Sequence, residues 1–253
     1  GTLQEVFQQL YVPHFGPKLF GVKVFIALCR LCPLSIPGDV SGEVLVDIGS
    51  GPTLYQVLSA CEVFNKVLLT DFLEVNRQEL RRWLQDEGGC NMDWTPYLQH
   101  VCKLEGRRPS AWMEKAAKLR QAIADILPVD VHSPQPLAPD ALPSGGADCL
   151  VSCFCLESVS PDLPAFTRAL GHIGRLLRPS GHLLLIGALG ESYYFGGPGV
   201  KIPVVPLNEG QVCDSLKESG FTLIRHFWSF SLEVLFKRNA KNPLTNFLSV
   251  VIF

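Results

Sequence analysis

The chain has 253 residues, 47% of them hydrophobic, and a formal net charge of −2. That length and apolar fraction suit a large α/β core, and the scattered Lys and Arg exclude an electrostatic case for nucleic acid or an anionic membrane. No apolar run is long enough to span a membrane, and no basic-then-apolar leader opens the sequence. The nine cysteines are therefore expected to be reduced thiols of a cytoplasmic protein.

In chain order, Gln4–Leu10 reads as a short helix, 11–17 as a turn-rich segment, and Lys18–Leu31 as a helix stopped by Pro33, Pro37 and Gly38. Cys29-Arg-Leu-Cys32 has the spacing of half a zinc site, but no second pair or Cys/His cluster completes it, so no metal is expected.

Glu43–Tyr55 is the stretch around which the rest is arranged. Val44, Leu45, Val46 and Ile48 form the apolar run of a central parallel strand. Gly49-Ser50-Gly51 follows at once, with Pro52 suited to the first turn of a helix over Thr53–Cys61. Such a corner suits a nucleotide or an amino-acid carboxylate. The third glycine of a dinucleotide-binding turn is absent, which argues against a nicotinamide-dinucleotide oxidoreductase. Lys66–Asp71 reads as the next strand, ending in an acid about 20 residues after the turn, where a carboxylate can accept ribose hydroxyls. Asp71 could equally cap the helix that follows it.

Phe72–Asp86 has helical spacing and is stopped by Gly88-Gly89. Asn91–Arg108 is mixed, anchored by Trp94, Tyr97 and Leu98, and Ser110–Ala124 is a charged helix. Strands are expected at Ile126–Val131, Ala147–Phe154 and His182–Ala188, helices at Asp162–Leu177 and Glu209–Ser219, and further β segments at Phe221–Phe230 and Phe247–Phe253. Ser133–Gly146, rich in Pro and Gly, is a surface loop. Cys153-Phe-Cys155 alternates within a strand, the pattern of packing residues. Strands alternating with helices predict a doubly wound, mostly parallel sheet, with ligands outside the carboxyl ends of its strands. That places the chemistry at Gly49–Gly51, Asp71, Asp130-Val131, Phe154–Glu157 and Leu189–Tyr194.

The pattern Asp47-x-Gly49-x-Gly51 resembles the first motif of class I S-adenosylmethionine-dependent methyltransferases. Three longer blocks resemble the small-amine N-methyltransferases, the group of phenylethanolamine, nicotinamide and indolethylamine N-methyltransferases: Asp47–Gln56, Thr70–Leu80 and Arg178–Leu184. Thr70–Leu80, Phe154–Leu163 and Leu183–Leu189 are most similar to the phenylethanolamine enzymes. The resemblance runs roughly from Val40 to Val205. It implies a seven-stranded methyltransferase fold, a single domain over 1–253 with 1–40 as a lid or helical segment, and a monomer. The implied cofactor is S-adenosyl-L-methionine, and the implied partner a small aromatic amine.

Residue by residue, the resemblance implies that Gly49, Ser50 and Gly51 cradle the methionine part of the cofactor, and that Asp71 holds the ribose. Tyr55, Asn76 and Cys153 join the cofactor site, with Asp130 and Val131 flanking the adenine. Phe154 stacks on the substrate ring, Glu157 and Glu191 hold the amine and hydroxyl, and Tyr194 lines the pocket. An ammonium has no lone pair, so Glu157 or Glu191 would accept its proton before in-line attack, and no cysteine is cast as nucleophile.

Two departures bear on activity. The family's tyrosine-rich lid is matched only by Tyr11, Phe15, Pro17 and Phe20, and Phe20 has no hydroxyl. The acid pair of the phenylethanolamine enzyme before the last strand has no acidic counterpart in 241–246, where Asn242 stands nearby. The alternative to an active enzyme is therefore a catalytically impaired, cofactor-binding paralogue of the same fold.

Overall fold

Val44, Leu45, Val46, Asp47 and Ile48 are all buried, so the strand they form, β1 (Gly42–Ile48), is covered on both faces. The computed structural model describes residues 40–85, 90–197, 200–229 and 247–252. The helices expected over 4–10 and 18–31, the Cys29/Cys32 pair, the lid residues Tyr11, Phe15 and Phe20, and the 241–246 segment lie outside them.

β1 pairs in parallel with β2 (Phe64–Asp71) on one side and β4 (Ala147–Cys153) on the other. β3 (Ile123–Pro128) continues from β2, and β5 (Leu177–Leu189) from β4, also in parallel. β9 (Phe247–Ile252) then runs antiparallel between β5 and β8 (Arg225–Ser229). The order β3-β2-β1-β4-β5-β9-β8 makes the seven-stranded, mostly parallel sheet that the alternation of strands and helices predicts. The connections wind outward in opposite directions from the boundary between β1 and β4, the kind of reversal at which open α/β sheets bind ligands.

Two apolar cores sandwich the sheet. Leu45, Val67 and Leu69 pack with α1 (Glu74–Gln85), α2 (Thr95–Leu104) and α3 (Trp112–Ala122). Val44, Val46, Ile48 and Leu68 pack with α5 (Leu163–Gly174) and α6 (Glu209–Glu218) on the opposite face. Trp94, Tyr97 and Leu98 are buried as their spacing suggests, with the two rings 5.0 Å apart. Both helices of the second layer start on polar caps: Asp162 accepts from the Ala165 N–H, and Asn208 and Gln211 form a reciprocal capping box.

The structure differs from the sequence reading in four places. Residues 53–59 form turns and Ala60–Glu62 a single 3₁₀ turn where a helix is expected. β3 begins three residues earlier than expected and stops at Pro128, after which the Asp130 N–H turns to the Pro136 carbonyl. β5 begins at Leu177, inside the expected helix, because Arg178–Gly181 forms an irregular start with Ser180 at φ 62°. Two short elements were not foreseen, the one-turn α4 (Leu156–Val159) and a hairpin of β6 (Tyr193–Gly197) and β7 (Val200–Pro203).

A charge cluster ties the turn after β1 to the helical layer. Lys115 of α3 is 0% exposed, and its ammonium binds Glu62 at 2.8 Å and Glu105 at 2.5 Å. Although burial pushes its pKa up, the Lys115 and Lys118 ammonium groups hold Glu62 well below the usual carboxylate range, at about 2. Replacing Lys115 with Ala strands two carboxylates and opens a cavity, so a loss of about 3–5 kcal/mol is expected in urea unfolding. A change below 1 kcal/mol would show that water replaces the ammonium at no cost.

Candidate active site

The glycine turn is built from its side-chain neighbours. Gly49 and Gly51 have φ of 71° and 59°, a region where a Cβ is strained, and a Cβ on Gly49 would stand 2.2 Å from the Cys155 sulfur. The Ser50 N–H donates to the Thr70 carbonyl at 2.7 Å, fastening the turn to the end of β2. Gln56, the last residue of the Asp47–Gln56 block but not among the expected site residues, donates from Nε2 to Asp47 Oδ2 at 2.7 Å and to the Ser50 and Thr53 carbonyls. Those carbonyls are thereby drawn to a side chain instead of a helical ladder, which accounts for the missing helix after Pro52.

Asp71 closes the turn from the next strand. Its carboxylate accepts from the Gly51 N–H at 2.8 Å, the Leu73 N–H at 2.9 Å and Asn76 Nδ2 at 3.0 Å. It therefore caps the start of α1 and holds the glycine turn together. Burial pushes its pKa up, against the lowering pull of these three donors. Asp47 Oδ1 and Asn76 Oδ1 are buried acceptors without a hydrogen-bond partner among the described residues. Two orphaned acceptors beside a glycine cradle fit a ligand that brings hydroxyl and ammonium donors.

The other predicted cofactor residues lie on β4 and in the segment after β3. Cys153 ends β4 with its sulfur 3.8 Å from the Tyr55 hydroxyl. Val131 is buried, and its carbonyl meets His172 Nδ1 at 2.9 Å. Asp130 is exposed, its carboxylate taken by the His132 N–H at 2.9 Å. Phe72, assigned to a helix by its spacing, instead stands 49% exposed and lines a cleft of about 440 Å³ with Val129, Asp130 and Leu137. An exposed ring directly after the strand-ending acid is the signal that could have found it.

The acidic side of the site follows β4 and β5. Phe154 has φ 53°, a left-handed conformation that is costly for a bulky residue, and its N–H is held by the Ile186 carbonyl at 2.7 Å. This sharp bend leads into α4, where Glu157 is 3% exposed. Its Oε1 accepts from the Ala188 N–H at 3.2 Å, and a Cβ on Gly187 would come within 2.9 Å of the same oxygen. The absence of a side chain at Gly187 is what admits the carboxylate. Burial raises Glu157 to about 7. Glu191, half-buried beyond β5, is also raised by burial and has no hydrogen-bond or ion-pair partner among the described residues. Tyr194 lies in β6 opposite Ile202, and the Ser192 carbonyl holds the Val204 N–H beneath the hairpin.

The structure thus brings Gly49, Ser50, Gly51, Asp71 and Asn76 into one bonded group and Tyr55 against Cys153. Cys155, against Gly49, joins this group to the Phe154–Glu157 bend. Asp130 stands apart on the rim.

Asp47, like Glu157, is raised to about 7 by burial. Each carboxyl keeps its proton in the folded chain to about pH 7 but releases it near its ordinary value when unfolded. Between those limits the folded chain holds more protons, so its stability falls as pH rises through that window. The expected result is a lower Tm for the ligand-free protein at pH 8 than at pH 5.5; a higher one at pH 8 would contradict both assignments.

The sequence model of the NNMT/PNMT/TEMT family matches residues 5–238. The chain belongs to that family. It is 58% identical over 179 residues to bovine phenylethanolamine N-methyltransferase, a match covering 71% of this chain and 62% of that one. It is 46% identical over 227 residues to human nicotinamide N-methyltransferase, covering 84% of each. The chain spans less than two thirds of the length of the bovine and human phenylethanolamine relatives. Among solved structures it is similar to N-methyltransferase NodS from Bradyrhizobium japonicum in complex with S-adenosyl-l-homocysteine, with a TM-score of 0.55, 10% identity and coverage of 100% and 98%. A Leishmania major SAM-dependent methyltransferase gives the same TM-score at 9% identity, covering 93% of this chain and 74% of that one. The fold is that of the class I S-adenosylmethionine-dependent methyltransferases.

Proposed function

We propose that this protein is an S-adenosylmethionine-dependent N-methyltransferase acting on the amine of a small aromatic, phenylethanolamine-like substrate. The observation that carries this reading is Glu157. A carboxyl only 3% exposed, raised to about 7 by burial and three residues beyond the strained Phe154, suits a group that binds an ammonium and takes its proton. Its similarity to phenylethanolamine and nicotinamide N-methyltransferases supports it.

When bound, S-adenosylmethionine supplies an electrophilic methyl carbon on its sulfonium. Gly49, Ser50 and Gly51 would offer main-chain groups to its methionine part, and Asp71, Asn76, Tyr55 and Cys153 would complete the cofactor site. Phe72, Asp130 and Val131 would receive the adenine, whose flat face suits the exposed ring. On the substrate side, Phe154 packs on the aromatic ring, Glu157 holds the ammonium and accepts its proton, Glu191 receives the hydroxyl, and Tyr194 closes the pocket. Alignment of amine and methyl carbon supplies most of the rate.

The same reading takes 1–253 as one domain with 1–40 as its lid, working as a monomer in the cytoplasm without nucleic-acid or membrane partners. Seven free cysteines among the described residues agree with a reducing compartment. No helix among the described residues is long and apolar enough to cross a membrane.

The test is calorimetric titration of S-adenosylmethionine, repeated with phenylethanolamine present, followed by mass spectrometry of the amine. Cofactor binding with a methylated amine is the expected result. Cofactor binding without product across a panel of aromatic amines would overturn the proposed activity.

A further inference from the structure

We infer that Gln56 is a positioning residue of the cofactor site, whose side-chain amide fixes the Asp47 carboxylate and the glycine turn in one arrangement. This rests on the reading of the glycine turn as an S-adenosylmethionine site.

Gln56 is 7% exposed and sits at the centre of a closed set of hydrogen bonds. Its Nε2 donates to Asp47 Oδ2 at 2.7 Å, to the Ser50 carbonyl at 3.1 Å and to the Thr53 carbonyl at 3.0 Å. Its Oε1 accepts from Thr53 Oγ1 at 3.2 Å, and that hydroxyl also reaches the Ser50 carbonyl at 2.8 Å. A single amide thus bonds the end of β1, the middle of the glycine turn and the segment beyond it. Neither Gly49 nor Gly51 has a side chain to limit its conformation, so the turn takes its shape from these bonds and from Asp71.

The arrangement leaves one product. Asp47 is 1% exposed, Oδ2 is taken by Gln56, and Oδ1 has no partner among the described residues. An acceptor buried without a donor two residues before Gly49 suits the ammonium of the cofactor's methionine part, and Gln56 sets which way that acceptor faces. The titratable groups around Asp47 are Asp71, whose charge opposes its ionisation, and Cys155, whose thiol is held neutral by burial. Gln56 and Ser50 donate toward Asp47 and favour its charged form.

The test uses the full chain and S-adenosylhomocysteine as the titrated probe, between pH 6 and 8.5, with Tm recorded for each protein. The wild type is expected to bind more tightly as pH rises through about 7, because the ionised Asp47 holds an ammonium better. Gln56→Met keeps the bulk but loses the donor. It is expected to bind on the order of ten- to a hundredfold more weakly, the loss of a hydrogen bond to a charged group, with the pH midpoint moved upward.

Gln56→Glu carries the second readout should the Met variant not fold. Two adjoining carboxyls hold a shared proton to higher pH, so the rise of affinity with pH should be displaced upward relative to the wild type. Wild-type affinity and an unshifted midpoint in Gln56→Met, or a wild-type pH midpoint in Gln56→Glu, would overturn the inference. No binding of the probe by the wild type at any pH would instead remove the reading on which it rests.

Discussion

Replacing Glu157 with Gln is expected to lower kcat/KM for the amine by roughly 30- to 1000-fold while leaving cofactor affinity within about twofold. Gln keeps the shape of Glu, and its carbonyl oxygen can still accept the Ala188 N–H, so the fold around α4 should survive. What is lost is the charge. The wild-type carboxylate is held near pH 7 by burial alone, with the Ala188 N–H as its opposing influence. Its ionised form is needed both to bind an ammonium and to remove its proton. The rate with the wild type should therefore rise with pH through about 7, and this limb should vanish in the variant. Glu191→Gln should weaken amine binding less, because Glu191 is only half-buried and its charge is partly screened by water. A Glu157→Gln protein with unchanged amine KM and an intact pH limb would place the proton acceptor elsewhere.

Asp71→Ala should produce the opposite selectivity, a roughly hundredfold or greater loss of cofactor affinity with little change in amine affinity. Three donors lose their acceptor at once: the Gly51 N–H, the Leu73 N–H and the Asn76 amide. On the proposed function the ribose hydroxyls would lose theirs as well. Because the same carboxylate caps α1, the Tm should also fall. Calorimetry at a temperature well below the lowered Tm separates the two losses. Full cofactor affinity in a destabilised variant would reduce Asp71 to a helix cap.

The strands were readable from sequence because a strand buried on both faces carries an apolar run, and Val44–Val46 and Val67–Leu69 both have that form. The turn at Gly49–Gly51 was equally plain, since few residues other than glycine hold positive φ. The segment after Pro52 was not legible, because its conformation is decided by bonds from Gln56 to carbonyls that only the fold brings within reach. The position of Glu157 was legible through resemblance, but its burial depends on the bare backbone at Gly187, thirty residues away, which no local pattern reveals. The β6–β7 hairpin escaped for another reason: its strands are short, and the segment Gly196–Gly199 contains three glycines and a proline that read as loop.

Phe154 has a consequence for any effort to make this protein sturdier. Its backbone occupies a region that glycine adopts freely and an aromatic residue does not. A library selected only for survival at high temperature should therefore drift toward glycine at this position, gaining stability from the relaxed bend. The same change removes the ring that the proposed function sets against the substrate. Position 154 is where thermal tolerance and turnover are set against each other, and an engineering campaign would have to hold it fixed.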